Sequence, residues 1–105
     1  MEKRKPHYDL AAVKTAVQLR GADAFTATAL IGAQAMGLDS AQAISVVCAM
    51  TRAVFYKSMT THAASQVWQD VYHPLAPNGK VAYVKVTLRV DGSVDGSIVI
   101  QFKEK

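Results

Sequence analysis

Phe55-Tyr56-Lys57-Ser58-Met59-Thr60-Thr61, followed closely by Val67-Trp68-Gln69-Asp70-Val71-Tyr72, decides the fold. Both stretches read as short strands. On strict alternation Phe55, Lys57 and Met59 share one face, and Val67, Gln69 and Val71 share another. A half-buried strand keeps polar groups off its apolar face, because a desolvated polar group without a partner costs free energy. A lysine and a glutamine so placed are either paired inside the fold or held out for a ligand.

Outward from there, the C-terminal half continues as strands. Residues 54–60 and 66–73 are the first two. Asn78-Gly79 is a hairpin signal that turns 66–73 back into 80–90. Val81, Tyr83, Lys85 and Thr87 alternate with Ala82, Val84, Val86 and Leu88. Asp91-Gly92-Ser93-Val94-Asp95-Gly96-Ser97 reads as a loop, and Ile98, Ile100 and Phe102 alternate in the last strand. The N-terminal half carries helical spacing instead. Asp9 caps a helix through Val13 and Val17 that Gly21 ends. A second helix runs from Thr26 or Thr28 to Met36, with Gly37 as its stop. In the third, Asp39 is the N-cap, Gln42 reaches back, and Ile44, Val47 and Cys48 form the buried stripe. Helices first and strands second predict an α+β fold, with N-terminal helices packed on one face of a C-terminal antiparallel sheet.

The chain has 105 residues, half of them hydrophobic, enough for one domain over residues 1–105 with a modest core. No apolar run approaches the ~18–20 residues that span a bilayer. No signal-type segment follows the charged start, so a cytoplasmic protein without a membrane is expected. The single cysteine excludes an internal disulfide and a cysteine-based zinc site. The net charge of +4 is concentrated at Lys3, Arg4 and Lys5 and in the C-terminal half. It suits either an anionic partner or a merely solvated surface.

Much chemistry is excluded. Asn78-Gly79-Lys80 lacks the upstream glycine of a phosphate loop. His7, His62 and His73 are isolated and have no zinc-ligand spacing. Asp91 and Asp95 do not follow the calcium-loop order, and a turn is the better reading. Ser58, His62 and Asp70 make a triad only on paper, with no nucleophile elbow. No metal and no cofactor are expected. What remains is an open sheet face of Lys57, Gln69, Tyr83, Lys85 and Lys103, strands apart in sequence but of shared parity. Lysines neutralise phosphate, and Tyr56, Tyr83 and Trp68 are available for stacking on bases, although Trp68 and Tyr72 also suit packing. RNA brings its own nucleophile, the 2′-hydroxyl, which an enzyme need only align, deprotonate and stabilise in attack. A non-catalytic RNA-binding module, or a structural domain with solvated lysines, fits the same inventory.

The blocks FYKSMTT at 55–61 and WQDVY at 68–72, the strand around Tyr83 and Lys85, the closing Phe102-Lys103-Glu104-Lys105 and the opening Met1-Glu2-Lys3-Arg4 together resemble the MqsR family of toxin ribonucleases. The resemblance spans the chain and is thin from about residue 20 to 50. It implies a RelE-like α+β fold and a metal-free endoribonuclease, an mRNA interferase made beside a protein antitoxin. Its substrate is mRNA, and its cleavage arrests translation and growth. It also implies catalytic roles for Lys57, Gln69, Tyr83 and Lys103, all residues of the open face. Lys57 and Lys103 then bind and stabilise the phosphate, Gln69 orients it or a base, and Tyr83 or a lysine of depressed pKa handles protons. Tyr56, Ser58, Thr60, His62 and Lys85 are expected to contact RNA, with His62 a further candidate base. His62 and His73 depart from the family pattern, which has tyrosine and arginine there.

Overall fold

The computed structural model describes residues 1–63, 65–89 and 97–105. The Asp91–Asp95 stretch read as a turn lies outside them. Strand β1 (Glu2–Lys3) comes first, then helices α1 (Leu10–Arg20), α2 (Ala27–Ala35) and α3 (Ser40–Cys48). Strands β2 (Phe55–Met59), β3 (Gln69–Tyr72), β4 (Ala82–Arg89) and β5 (Ser97–Glu104) follow. The strands form one five-stranded sheet in the order β1-β2-β3-β4-β5, every neighbouring pair antiparallel. The α+β reading holds, with one correction. The sheet is not wholly C-terminal, because the charged N-terminus supplies its first strand.

Each helix begins where a side chain replaces the missing turn. The Asp9 carboxylate accepts from Ala12 N at 3.3 Å, and Thr26 Oγ1 accepts from Ala29 N at 3.0 Å. On α3 the exchange is reciprocal. Gln42 N donates to Asp39 Oδ1 at 2.8 Å, and Asp39 N donates to Gln42 Oε1 at 2.9 Å. Each cap is worth about 1 kcal/mol. Gly37, at φ 90°, lets the chain leave α2 and enter α3 within a few residues. The buried residues of α3 are Ala43, Val46 and Val47. Ile44 and Cys48 are half-buried at the margin, so the stripe is rotated by one residue from its predicted position.

The core lies between the helices and one sheet face. Val13 and Val17 of α1 and Ala29 and Ala33 of α2 meet Tyr72, Val84, Val86, Ile98, Ile100 and Phe102, all buried. Helix α2 also covers the outer edge of β5. Thr26 N donates to Ile100 O at 3.1 Å. A Cβ built on Gly32 would fall 2.3 Å from the carbonyl oxygen of Phe102, so this helix approaches the strand as closely as it does because Gly32 has no side chain. An edge strand that would otherwise expose unpaired backbone is thereby covered over part of its length. At the β3–β4 connection, Gly79 takes φ 86° and Asn78 Nδ2 donates to Met36 O at 2.8 Å. The turn residue thus also satisfies a carbonyl at the end of α2. No helix among the described residues is long and apolar enough to cross a membrane.

Candidate active site

A bulge in β2 builds the site. Phe55 pairs with Tyr72 and Lys57 with Val71, which leaves Tyr56 as an extra residue between them. An extra residue reverses the alternation. Phe55 therefore turns to the helix side, its ring edge-on to Tyr72 at 5.4 Å. Lys57 and Met59 turn to the open side. Strict alternation had grouped all of these on one face; Phe55 is the correction.

The register now places the open-face residues. Lys57, Val71, Lys85 and Gln101 form one row across β2 to β5. Tyr83 pairs with Lys103 in the row on one side, and Gln69 pairs with Met59 in the row on the other. Glu2 also pairs with Met59, so β1 adds a carboxylate to the Gln69 row. Lys57, Gln69, Tyr83, Lys85 and Lys103 thus occupy a single face, opposite the helices. Val71 in its centre is completely buried.

The aromatic rings form a stack that sequence spacing did not reveal. Tyr56 stacks on His73, centroids 4.6 Å apart and rings 24° from parallel. His73 in turn meets Tyr83 at 5.6 Å and 38°. The Lys57 ammonium lies 5.4 Å from the Tyr56 centroid, and the Lys103 ammonium 5.3 Å from that of Tyr83. Both are cation–π contacts that bring charge to the ends of the stack. Read as an isolated histidine, His73 is instead its middle member. The available signal was its parity with Gln69 and Val71.

Electrostatics distinguish these groups. The Lys57 ammonium is hydrogen-bonded to the Glu2 carboxylate, which raises the lysine pKa above its ordinary value and lowers that of Glu2. Lys57 is therefore held as a cation, and the alternative of a lysine of depressed pKa is not met there. Burial, followed by the charge of Lys105, lowers the pKa of His73, which favours its neutral form. The buried Oε1 of Gln69 and Nε2 of His73 have no hydrogen-bond partner among the described residues. Buried polar atoms left so are uncommon and call for a reason.

Other expected residues fall elsewhere. Ser58 is fully buried and pairs with Asp70 on the helix side, and Thr60 is buried as well. The structure does not bring these hydroxyls to the open face with Lys57, which corrects their expected place on an RNA surface. His62 is exposed in the turn after β2. Asp70 is fully buried, and its oxygens accept from His7 N at 3.0 Å and Tyr8 N at 2.9 Å. The paper triad of Ser58, His62 and Asp70 therefore dissolves: its acid anchors the N-terminal segment. Trp68 packs against that segment, stacked on His7 at 5.5 Å with the Lys3 ammonium 4.2 Å from its ring. Burial pushes the Cys48 thiol pKa up, the opposite of what a reactive thiolate needs. Among the described residues no three His, Cys, Asp or Glu side chains converge as metal ligands would.

The arrangement offers fixed cations, a stacking surface, an imidazole and a phenol, a set suited to a polyanion with planar bases. The comparisons agree with that chemistry. The family model described as motility quorum-sensing regulator, toxin of MqsA, matches residues 5–104. The chain is 39% identical over 105 residues, 100% of both sequences, to the mRNA interferase toxin MqsR of Escherichia coli (strain K12). The chain belongs to the MqsR toxin family.

Proposed function

We propose that this protein is the toxin of a toxin–antitoxin pair, a metal-independent, sequence-selective endoribonuclease that cleaves mRNA and so arrests translation and growth. One observation carries the reading: Lys57, Tyr56, Tyr83 and Lys103 gather on the open sheet face, with a cation at each end of a ring stack. The full-length relative named an mRNA interferase supports it. The family's description as toxin of MqsA supports a protein antitoxin as the partner.

In this reading the RNA backbone crosses the open face, and its scissile phosphate lies between Lys57 and Lys103. Charge builds on the phosphoryl oxygens as the 2′-hydroxyl attacks. A lysine held as a cation stabilises that charge, a contribution on the order of 10²-fold or more in rate. Gln69, whose carbonyl oxygen has no partner among the described residues, orients a base. Lys85 and Gln101 line the path beyond Lys57, and Tyr56 offers an exposed ring for stacking. The Tyr83 hydroxyl is the proton donor to the leaving 5′-oxygen.

The test combines cells and purified RNA. Induced expression of the chain alone should stop growth, and co-expression with its antitoxin should restore it. The purified protein should cut a transcript at discrete sites and leave 5′-hydroxyl ends. Normal growth together with an intact transcript would rule the reading out.

A further inference from the structure

We propose that His73 is the general base that removes the proton from the attacking 2′-hydroxyl. The inference rests on the ribonuclease reading above and adds the catalytic group which that reading leaves unassigned. Its basis is position. The imidazole sits between Tyr56 and Tyr83, the same rings that carry the Lys57 and Lys103 ammonium groups. In the proposal a phosphate drawn to those cations crosses the stack and brings the adjacent ribose to His73. The backbone is fixed there, because His73 N donates to Val54 O at 2.8 Å.

Its chemistry fits the place. A neutral imidazole has one N–H and one lone pair, and the lone pair is what a base needs. Nε2 has no hydrogen-bond partner among the described residues and is shielded from solvent, so in the proposal the ribose reaches it as the Tyr56 ring moves aside. The ring that stacks on it, Tyr56, is the exposed member of the stack at 44%. Tyr56 faces the imidazole from β2, Tyr83 from β4, and Lys105 lies near it at the C-terminus. Lys57 and Lys103 stand one ring further out. The carboxylate Glu2 is engaged by Lys57. These surroundings favour the unprotonated ring, in line with its lowered pKa.

The step balances without a co-reactant. His73 takes the proton of the 2′-hydroxyl as that oxygen forms its bond to phosphorus. The bond from phosphorus to the 5′-oxygen breaks, and the 5′-oxygen takes a proton from Tyr83. The imidazolium loses its proton to solvent, and the phenolate regains one. The products are a 2′,3′-cyclic phosphate and a 5′-hydroxyl.

The test replaces His73 by Phe, which keeps a planar ring in the stack but cannot accept a proton, and by Gln as a smaller polar control. Binding to a cleavage-resistant 2′-deoxy analogue checks the fold and the surface. Single-turnover cleavage is then followed from pH 5 to 9. Wild-type cleavage should fall at acid pH as the imidazole is protonated. H73F should bind the analogue as wild type does, cleave roughly 10²-fold more slowly, and lose the acid limb. H73Q should behave likewise. An H73F protein that cleaves at the wild-type rate would overturn the proposal. So would one that is slow but keeps the acid limb, or one whose defect lies wholly in binding, which would make His73 a stacking residue. Failure of wild-type protein to cleave RNA at any pH would overturn the ribonuclease reading itself, a separate outcome.

Discussion

The ammonium of Lys57 is hydrogen-bonded to the carboxylate of Glu2, so the second residue of the chain reaches into the centre of the candidate site. The two are brought together by β1, which pairs Glu2 with Met59. Glu2 raises the Lys57 pKa chiefly through that hydrogen bond. Substituting Gln removes the negative charge, and the lysine pKa should move back toward its ordinary value. The prediction is that E2Q loses cleavage at a lower pH on the alkaline side than wild type does, with its rate near pH 7 little changed. A pH–rate profile from 7 to 11 measures it. An alkaline limb that does not move would mean that Lys57 does not set it.

Asp70 should be the polar side chain the fold can least spare. It is fully buried, and its oxygens receive the backbone N–H groups of His7 and Tyr8. Truncation to Ala leaves both donors without their acceptor. D70A should lose about 3 kcal/mol, seen as a fall in Tm on the order of 10–20 °C. It should also loosen the segment that carries Glu2, so amide exchange near residues 2–8 should rise. Thermal unfolding and hydrogen exchange check both parts.

Tyr72 should behave in the opposite way. Its ring is wholly buried, yet its hydroxyl has no partner among the described residues. Burial, then the charge of Asp70, pushes its pKa up from 10.0 to about 12. A raised pKa means that the unfolded chain releases this proton first. The stability it accompanies is complete below pH 10 and is lost as pH climbs to about 12. Y72F removes an unpaired polar atom and the titration together. It should be as stable as wild type at pH 7, or more so by about 0–1 kcal/mol. It should also resist alkaline unfolding better. Denaturant melts at pH 7 and pH 11 provide the comparison.

These groups show where sequence reading succeeds and where it stops. The helices were legible because their caps are local: Asp9, Thr26, and Asp39 with Gln42 act within a turn of themselves. The open face of β4 and β5 was legible because Tyr83, Lys85, Gln101 and Lys103 obey simple alternation along long, regular strands. Phe55 escaped that rule because the bulge at Tyr56 shifts parity between it and Lys57, and a bulge leaves no composition signal in FYKSM. Glu2, Asp70 and His73 were missed as site or anchor residues for another reason. Each acts through contacts distant in the chain, such as the 55 residues separating Glu2 from Lys57. Ser58 looked available because hydroxyls suit RNA, but its burial follows from pairing opposite Asp70 on the covered face.

The central claim is that this open face cleaves RNA through the RNA's own 2′-hydroxyl, with Lys57 stabilising the charge. Single-turnover cleavage of one oligonucleotide in excess EDTA tests it most directly, using the all-RNA strand beside a copy with a single 2′-deoxy sugar just before the cut. The expected result is an unchanged rate on the RNA, a 2′,3′-cyclic phosphate product, no cut in the deoxy copy, and a loss of roughly 10²-fold or more in folded K57A protein. Cleavage of the deoxy strand that disappears on chelation, or full activity in folded K57A, would contradict the account.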